Sequence, residues 1–281
     1  MLHAGPLVGV RASLWAVAVA GAMVLGDKGL HRAEDWAGLP QQGPATLVRL
    51  MLGIALILGI YVVSVRFGER RKVSELAPAR LAPELCVGLG GGAMLFCAAM
   101  GVLLLGGWYQ VSVSPAGSPW WALRAGFGSG TIEELIFRGL LMRLLWEAFG
   151  LPAALAFSSA TFGLAHLLNP QHSVMGALSI IVEAGIVLGA LFALTGRLWA
   201  SIGAHAGWNF TQGYVFGADV SGSNGGGHWL LAVPTDGASW LMTGGAFGPE
   251  ASLAAVVVGA AAGSLLLLFV WRQGAASGGV G

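Results

Sequence analysis

The sequence predicts an all-α polytopic membrane protein, a bundle of about eight transmembrane helices. Three observations carry this. Hydrophobic residues fill 56% of the 281 positions and charged residues only 10%, against roughly 25% charged in an ordinary soluble domain. The mean hydropathy is +0.76. Apolar runs long enough to cross a bilayer recur along the whole chain. The formal net charge is +1, so no basic surface argues for nucleic acid; the partner that composition demands is the lipid bilayer. No internal repeat and no second domain is visible, and residues 1–281 read as one membrane domain.

The first helix is predicted from about Leu7 to Leu25. Its alternative is a cleaved signal peptide, with Arg11 as the basic flank and Ala20-Gly21-Ala22 as the cleavage site. A polar loop with Asp27, Lys28, Arg32, Glu34, Asp35 and Pro40 follows. The second helix covers about Ala45 to Val65. The most basic stretch comes next, with Arg66, Arg70, Arg71, Lys72 and Arg80 against Glu69 and Glu75. The third helix runs from about Pro83 to Leu105. It holds both cysteines, Cys86 and Cys97, which lie roughly 16 Å apart on a helix, too far for a disulfide. They read as small apolar packers.

A loop with Ser112, Ser114, Pro115 and Pro119 leads to the fourth helix, about Trp121 to Trp146. Gly150-Leu151-Pro152 stops it and starts the fifth, which covers about Pro152 to Leu168. The sixth runs from about Val174 to Leu194 and the seventh from near Gly196 to near Val215. A glycine-rich loop from Gly217 to about Gly248 includes Ser221-Gly222-Ser223-Asn224-Gly225, and a short interfacial segment is expected around Trp229 to Val233. The eighth helix covers about Glu250 to Trp271. Small-xxx-small pairs at Gly126/Gly130, Gly185/Gly189 and Gly203/Gly207 permit close backbone contact and place helices 4, 6 and 7 in the tight interior. Lys and Arg bias predicts cytoplasmic termini, a cytoplasmic Arg66–Arg80 loop and a translocated Gly217–Gly248 loop. The expected location is a bacterial cytoplasmic membrane.

Polar residues inside apolar helices are costly, so they are read as functional. The fourth helix carries Thr131-Ile132-Glu133-Glu134-Leu135-Ile136-Phe137-Arg138. Glu134 and Arg138 are four apart and share a face, while Glu133 points about 100° away. One carboxylate is then held by Arg138 and the other is left for chemistry. The fifth helix has Phe162 and His166, and the seventh has His205 and Asn209, each pair on one face. A lone histidine or ion pair of this kind is usually a packing device. Packing alone has no need of six polar groups on three apolar helices. A glutamate with a histidine can take a proton from water. A histidine and an asparagine can donate to the oxyanion of a tetrahedral intermediate. The same donors also suit Zn²⁺ with an open position for water.

The order Glu-Glu-x-x-x-Arg, Phe-x-x-x-His, His-x-x-x-Asn on successive membrane helices resembles the CAAX protease and bacteriocin-processing family, which includes the type II CAAX prenyl endopeptidases. The motif-bearing core is residues 121–217, helices 4–7. The runs Asn209 to Gly213 and Gly244 to Glu250 are similar to bacterial members. The resemblance implies an intramembrane endopeptidase acting on a membrane-associated protein or peptide, lipidated or not, of CAAX or bacteriocin-like type. It makes Glu133 the water-activating carboxylate assisted by His166, with Glu134 and Arg138 orienting the site. His205 and Asn209 would hold the oxyanion and Phe162 would pack. The family is described both as zinc-dependent and as metal-free; a zinc ion would take Glu133, His166 and His205. No motif cysteine supports a thiol protease.

Two other classes compete: a transporter or proton-coupled channel that uses the buried Glu and His residues, and a non-catalytic immunity or maturation factor of the same fold. Glu183 in the sixth helix reads as a structural carboxylate or as the lining of a substrate path. His172 reads as a loop residue.

Overall fold

The computed structural model describes residues 8–40, 43–114, 117–223 and 226–277. Leu7, Pro115, Asn224 and Gly225 lie outside the described residues. Eight helices of membrane scale follow one another: α1 (Val8–Trp36), α2 (Ala45–Glu69), α3 (Leu81–Leu105), α4 (120–149), α5 (Leu151–Leu168), α6 (Val174–Thr195), α7 (199–215) and α8 (Leu253–Ser277). Six of them, all but α4 and α7, are long and apolar enough to cross a membrane. α4 carries six charged residues and α7 spans only 17. These two hold five of the six polar motif residues, so an exact count of eight spans does not follow from length and apolarity.

Three features differ from expectation. α1 continues past Leu25 through the polar turns to Trp36. Arg49, buried on α2, lies 3.1 Å from Glu34 and 2.8 Å from Asp35, and donates to the Leu39 carbonyl. These partners hold the end of α1 against α2. The short interfacial segment expected around Trp229 to Val233 is largely a strand: β2 (Leu230–Pro234) pairs antiparallel with β1 (Tyr109–Val113). Val111 and Val113 alternate with Gln110 and Ser112, as a two-faced strand requires. Cys86 and Cys97 are free and lie on the exposed side of α3 rather than packing inside.

The Gly150 turn has φ +81°, a conformation suited to glycine, and it sets α4 and α5 antiparallel. Glu133 precedes that turn by nearly as many residues as His166 follows it, so both stand at one level. Helices α4, α6 and α7 do form an interior, but the tightest contact is α3 on α7. A Cβ at Gly88 or Gly92 would strike the Ala200 or Ala204 carbonyl, and one at Gly203 or Gly207 would strike the Leu85 or Leu89 carbonyl. α3 carries no motif residue; its glycines let α7 sit deep in the bundle.

Gly92→Ala forces two backbones apart, and overpacking of this kind costs about 1–3 kcal/mol. Thermal unfolding in detergent is expected at a lower midpoint for Gly92→Ala. Gly91→Ala, whose Cβ would meet nothing within 4 Å, should melt no lower than the parent. Equal midpoints for the two variants would contradict this α3–α7 contact.

Candidate active site

α4 brings Glu133, Glu134 and Arg138 to the middle of the bundle. Arg138 and Glu134 are fully buried. Arg138 Nη1 donates to Glu134 Oε1 at 2.7 Å, and Nη2 lies 3.3 and 3.2 Å from the carbonyls of Ala184 and Gly185 on α6. Both contacting stretches, Leu135–Met142 and Ile181–Ile186, are wound more widely than an α-helix. Such wide turns leave backbone groups out of register and recur at functional sites. The guanidinium also stands 4.4 Å from the centre of the Phe162 ring, a cation–π contact. Phe162 thus does more than pack. Its ring meets those of His166 and Phe137 edge to face, at 4.9 and 5.0 Å.

His205 on α7 reaches Glu134 Oε1 with Nδ1 at 3.1 Å. The carboxylate accepts, so Nδ1 carries the proton and Nε2 turns to the other carboxylate, 3.8 Å from Glu133 Oε2. His166 closes α5. Its Nδ1 is 2.8 Å from the Phe162 carbonyl, which can only accept. Nδ1 therefore carries a proton, which in the neutral ring leaves the lone pair on Nε2. Asn209 Nδ2 is a long 3.5 Å from the Ala125 carbonyl, which leaves the amide free to donate elsewhere. Gly126 is at the close approach of α4 to α7: a Cβ there would stand 3.0 Å from the Ala206 carbonyl oxygen, tighter than ordinary contact.

Glu133 differs from Glu134 in its surroundings. Its side chain is 28% exposed, and its Oε2 is buried with no hydrogen-bond partner. It faces a cavity of about 330 Å³ that His166, His205 and Asn209 also line. The Asn169 and Ser221–Ser223 segments form the mouth, and Asn169 Nδ2 donates to the Ser221 carbonyl at 2.8 Å. His172 stays in the exposed turn, with Nδ1 3.0 Å from the Asn169 carbonyl.

The sequence reading missed what orders that mouth. Glu250 lies just before α8, not within it. It accepts from the Ser221 amide, and Gly222 N–H donates to the Phe247 carbonyl at 2.8 Å. Burial pushes the Glu250 carboxyl up to about 7, against the lowering by Ser221, Trp208 and Gln212. Glu183 shares its small buried cavity, behind His166, His205 and Asn209. The signal was present in Gly248-Pro249-Glu250, a carboxylate beside a left-handed glycine, but no spacing tied it to residue 221.

Residues 115–211 match the family model described as type II CAAX prenyl endopeptidase, Rce1-like. The match covers about a third of the chain and includes Glu133, Glu134, Arg138, His166, His205 and Asn209. No curated protein and no solved structure matches the chain. With six helices long and apolar enough to cross a membrane, the chain is an integral membrane protein, and its residues 115–211 are similar to an endopeptidase family.

Zinc on Glu133, His166 and His205 was one expectation from the resemblance. The free Nε2 of His166 and the unpartnered Glu133 oxygen suit a metal, and a second hydrogen bond orients each imidazole as in metal sites. Among the described residues, however, no three His, Cys, Asp or Glu side chains converge closely enough to hold one ion. The donors as they stand do not make a zinc site.

Arg138 tests the frame of this site. Removing one partner of a buried ion pair costs about 3–5 kcal/mol, because the other charge is stranded. Arg138→Ala is expected to lower both the unfolding midpoint in detergent and the activity. Normal melting together with normal activity would show that Glu134 needs no partner.

Proposed function

We propose that the chain hydrolyses a peptide bond of a membrane-associated protein or peptide, with Glu133 as the base that activates water. One observation carries the reading. Of two adjacent glutamates, Glu134 is fully buried and held by Arg138 and His205, whereas Glu133, 28% exposed, lines a cavity shared with two histidines and an asparagine.

The steps follow from the groups available. Glu133, with the lone pair of His166 Nε2, takes a proton as the water oxygen attacks the carbonyl carbon. The carbonyl oxygen becomes an oxyanion, and Asn209 Nδ2–H with protonated His205 Nε2 donates to it. The C–N bond then breaks, and the proton passes to the leaving amine nitrogen. With both ring nitrogens protonated, His205 is oriented by its Nδ1–H on Glu134, and Arg138 keeps Glu134 in place. A site enclosed by protein strengthens each of these electrostatic contacts. The location that fits is a bacterial cytoplasmic membrane, with both termini cytoplasmic. The substrate is a CAAX-type or bacteriocin-like polypeptide, lipidated or not.

Glu133→Gln is close to isosteric and removes only the base. Proteomics of cells carrying the parent or the Glu133→Gln protein should show cleaved termini that the variant lacks. Its unfolding midpoint should stay near the parent's. Undiminished cleavage by the variant would sink the mechanism.

Asn209→Ala removes one oxyanion donor, a loss of about 10²–10³ in rate in other enzymes. Residual cleavage by purified Asn209→Ala protein is expected, well below the parent's and above that of Glu133→Gln. A variant as fast as the parent would take Asn209 out of the reaction.

A further inference from the structure

Glu250 is a buried carboxylate, 1% exposed, that the hydrolysis above does not use. It shares a small cavity with Glu183, and among the described residues no Lys or Arg lines that cavity. The whole connection 216–252 has no Lys or Arg. A buried carboxylate without a cation is costly unless hydrogen bonds hold it. Here Ser221, Trp208 and Gln212 supply those bonds and favour the ionised form against burial. Ser221 gives two of them, one from its amide and one from its hydroxyl.

Ser221 occupies a tight turn. Val220 and Ser223 exchange both backbone hydrogen bonds at 2.9 Å. Between them φ is +48° at Ser221 and +75° at Gly222. Two-residue turns with two positive φ values favour Asn-Gly or Gly-Gly, and a serine in that conformation is uncommon. Asparagine or glycine would make the turn at lower cost, so the turn alone gives no reason for a hydroxyl. The turn is pinned from several directions. Asn169 Nδ2, after α5, donates to the Ser221 carbonyl at 2.8 Å. Gly222 N–H donates to the Phe247 carbonyl at 2.8 Å, and Gln212 of α7 donates to the Asp219 carbonyl. The backbone of Ser221 is thus fully engaged, its amide on Glu250 and its carbonyl on Asn169. Its residue stands between two cavities. One side faces Glu250; the other faces the cavity of Glu133, His166, His205 and Asn209.

This arrangement fixes the polarity of the hydroxyl. Its hydrogen goes to the Glu250 carboxylate, which only accepts. The oxygen lone pairs are what remain for the Glu133 cavity. An acceptor there suits an N–H, and every residue of a polypeptide except proline brings one on its backbone.

We infer that Ser221 is a substrate-binding residue, whose hydroxyl oxygen accepts one backbone N–H of the peptide bound beside Glu133, and that Glu250 is the positioning residue that holds the hydroxyl in this sense. The inference rests on the protease reading and deepens it: at that one position the substrate carries a secondary amide and not proline. Both residues lie outside the matched segment 115–211, so this selectivity belongs to the connection before α8.

The test uses the purified full-length protein and a synthetic peptide spanning a cleaved terminus that the parent makes and Glu133→Gln does not. A second set of peptides carries one N-methyl group at each backbone nitrogen near the bond in turn. At one nitrogen, methylation should cost the parent about 3- to 10-fold more in kcat/KM than it costs Ser221→Gly, the worth of one neutral hydrogen bond. On the unmethylated peptide Ser221→Gly should be slower by a similar factor, chiefly through KM. Its unfolding midpoint should be no lower than the parent's, because glycine accepts the positive φ. Glu250→Gln is close to isosteric, but its amide donates to the hydroxyl and turns it round, so it should lose the same N-methyl sensitivity. Each protein is compared with itself on two peptides, so a smaller folded fraction does not imitate the result. Should Ser221→Gly fail to fold, Glu250→Gln makes the same comparison. A parent no more sensitive than the variants at every position overturns the inference and leaves the protease reading intact. A complete lack of Glu133-dependent termini refutes that reading, and the inference falls with it.

Discussion

The site depends on one buried ion pair. Arg138 and Glu134 sit on consecutive turns of α4 with no exposure, where an unpartnered charge is expensive. The pair is tolerated because its remaining valences reach the neighbouring helices. Arg138 gives hydrogen bonds to two α6 carbonyls and its flat face to Phe162 on α5. Glu134 takes the Nδ1 proton of His205 on α7. Four helices are thereby fixed to one guanidinium–carboxylate unit, and a planar donor such as Arg suits this better than Lys. The orientation of His205, and so the direction of its Nε2, is a consequence of that unit. Glu133 escapes it only because one residue of helix turns a side chain by about 100°.

Much of this was legible in the sequence, for reasons that particular residues show. The four-residue spacing of Glu134 and Arg138 announced their pair, and the doubled glutamate announced that one carboxylate was surplus to it. Hydropathy found the helices, with most ends within a few residues. What failed were features set by partners distant in sequence. The end of α1 looked like a loop because Asp27 to Asp35 are polar. Arg49, buried on another helix, makes those turns helical. The strand at Leu230–Pro234 needed Tyr109–Val113, more than a hundred residues earlier, to declare itself. The glycines of α3 had no motif beside them, yet they form the closest helix contact in the bundle. His166 stands at the level of Glu133 because α4 and α5 count from the common turn at Gly150.

The cavity is completed by parts outside the matched segment. Residues 115–211 supply Glu133, His166, His205 and Asn209, but Ser221 and Ser223 close the mouth. Those loop residues are held by Glu250 and by Phe247, whose ring packs beside Phe162 and Ile180. Glycines with positive φ at 217, 222, 244 and 248 let this connection fold back on the bundle. Mouth and site thus share one apolar cluster, in which Phe247 packs with Phe162 and Ile180. Buried Glu183 extends the acidic environment behind that wall without entering the cavity of Glu133.

The same buried glutamates and histidines would also serve a proton-coupled transporter, and the distinction lies in the path. A transported proton or solute needs access to the central carboxylates from both faces in turn. Here the access is from one face. Toward the other stands Arg138 with its four-helix set of contacts. Beyond it, the Tyr61 hydroxyl lies within reach of Glu75 and the Gly139 carbonyl, and Arg71 and Arg143 bind Glu69 and Glu75. Opening that end would separate several buried pairs at once, each left uncompensated in a medium that does not solvate it. A hydrolase has no such requirement, since its substrate enters and its products leave by the same mouth. A cavity closed at the charged end and open at the end poor in Lys and Arg is therefore suited to bringing one peptide bond to Glu133, and poorly suited to passing anything through.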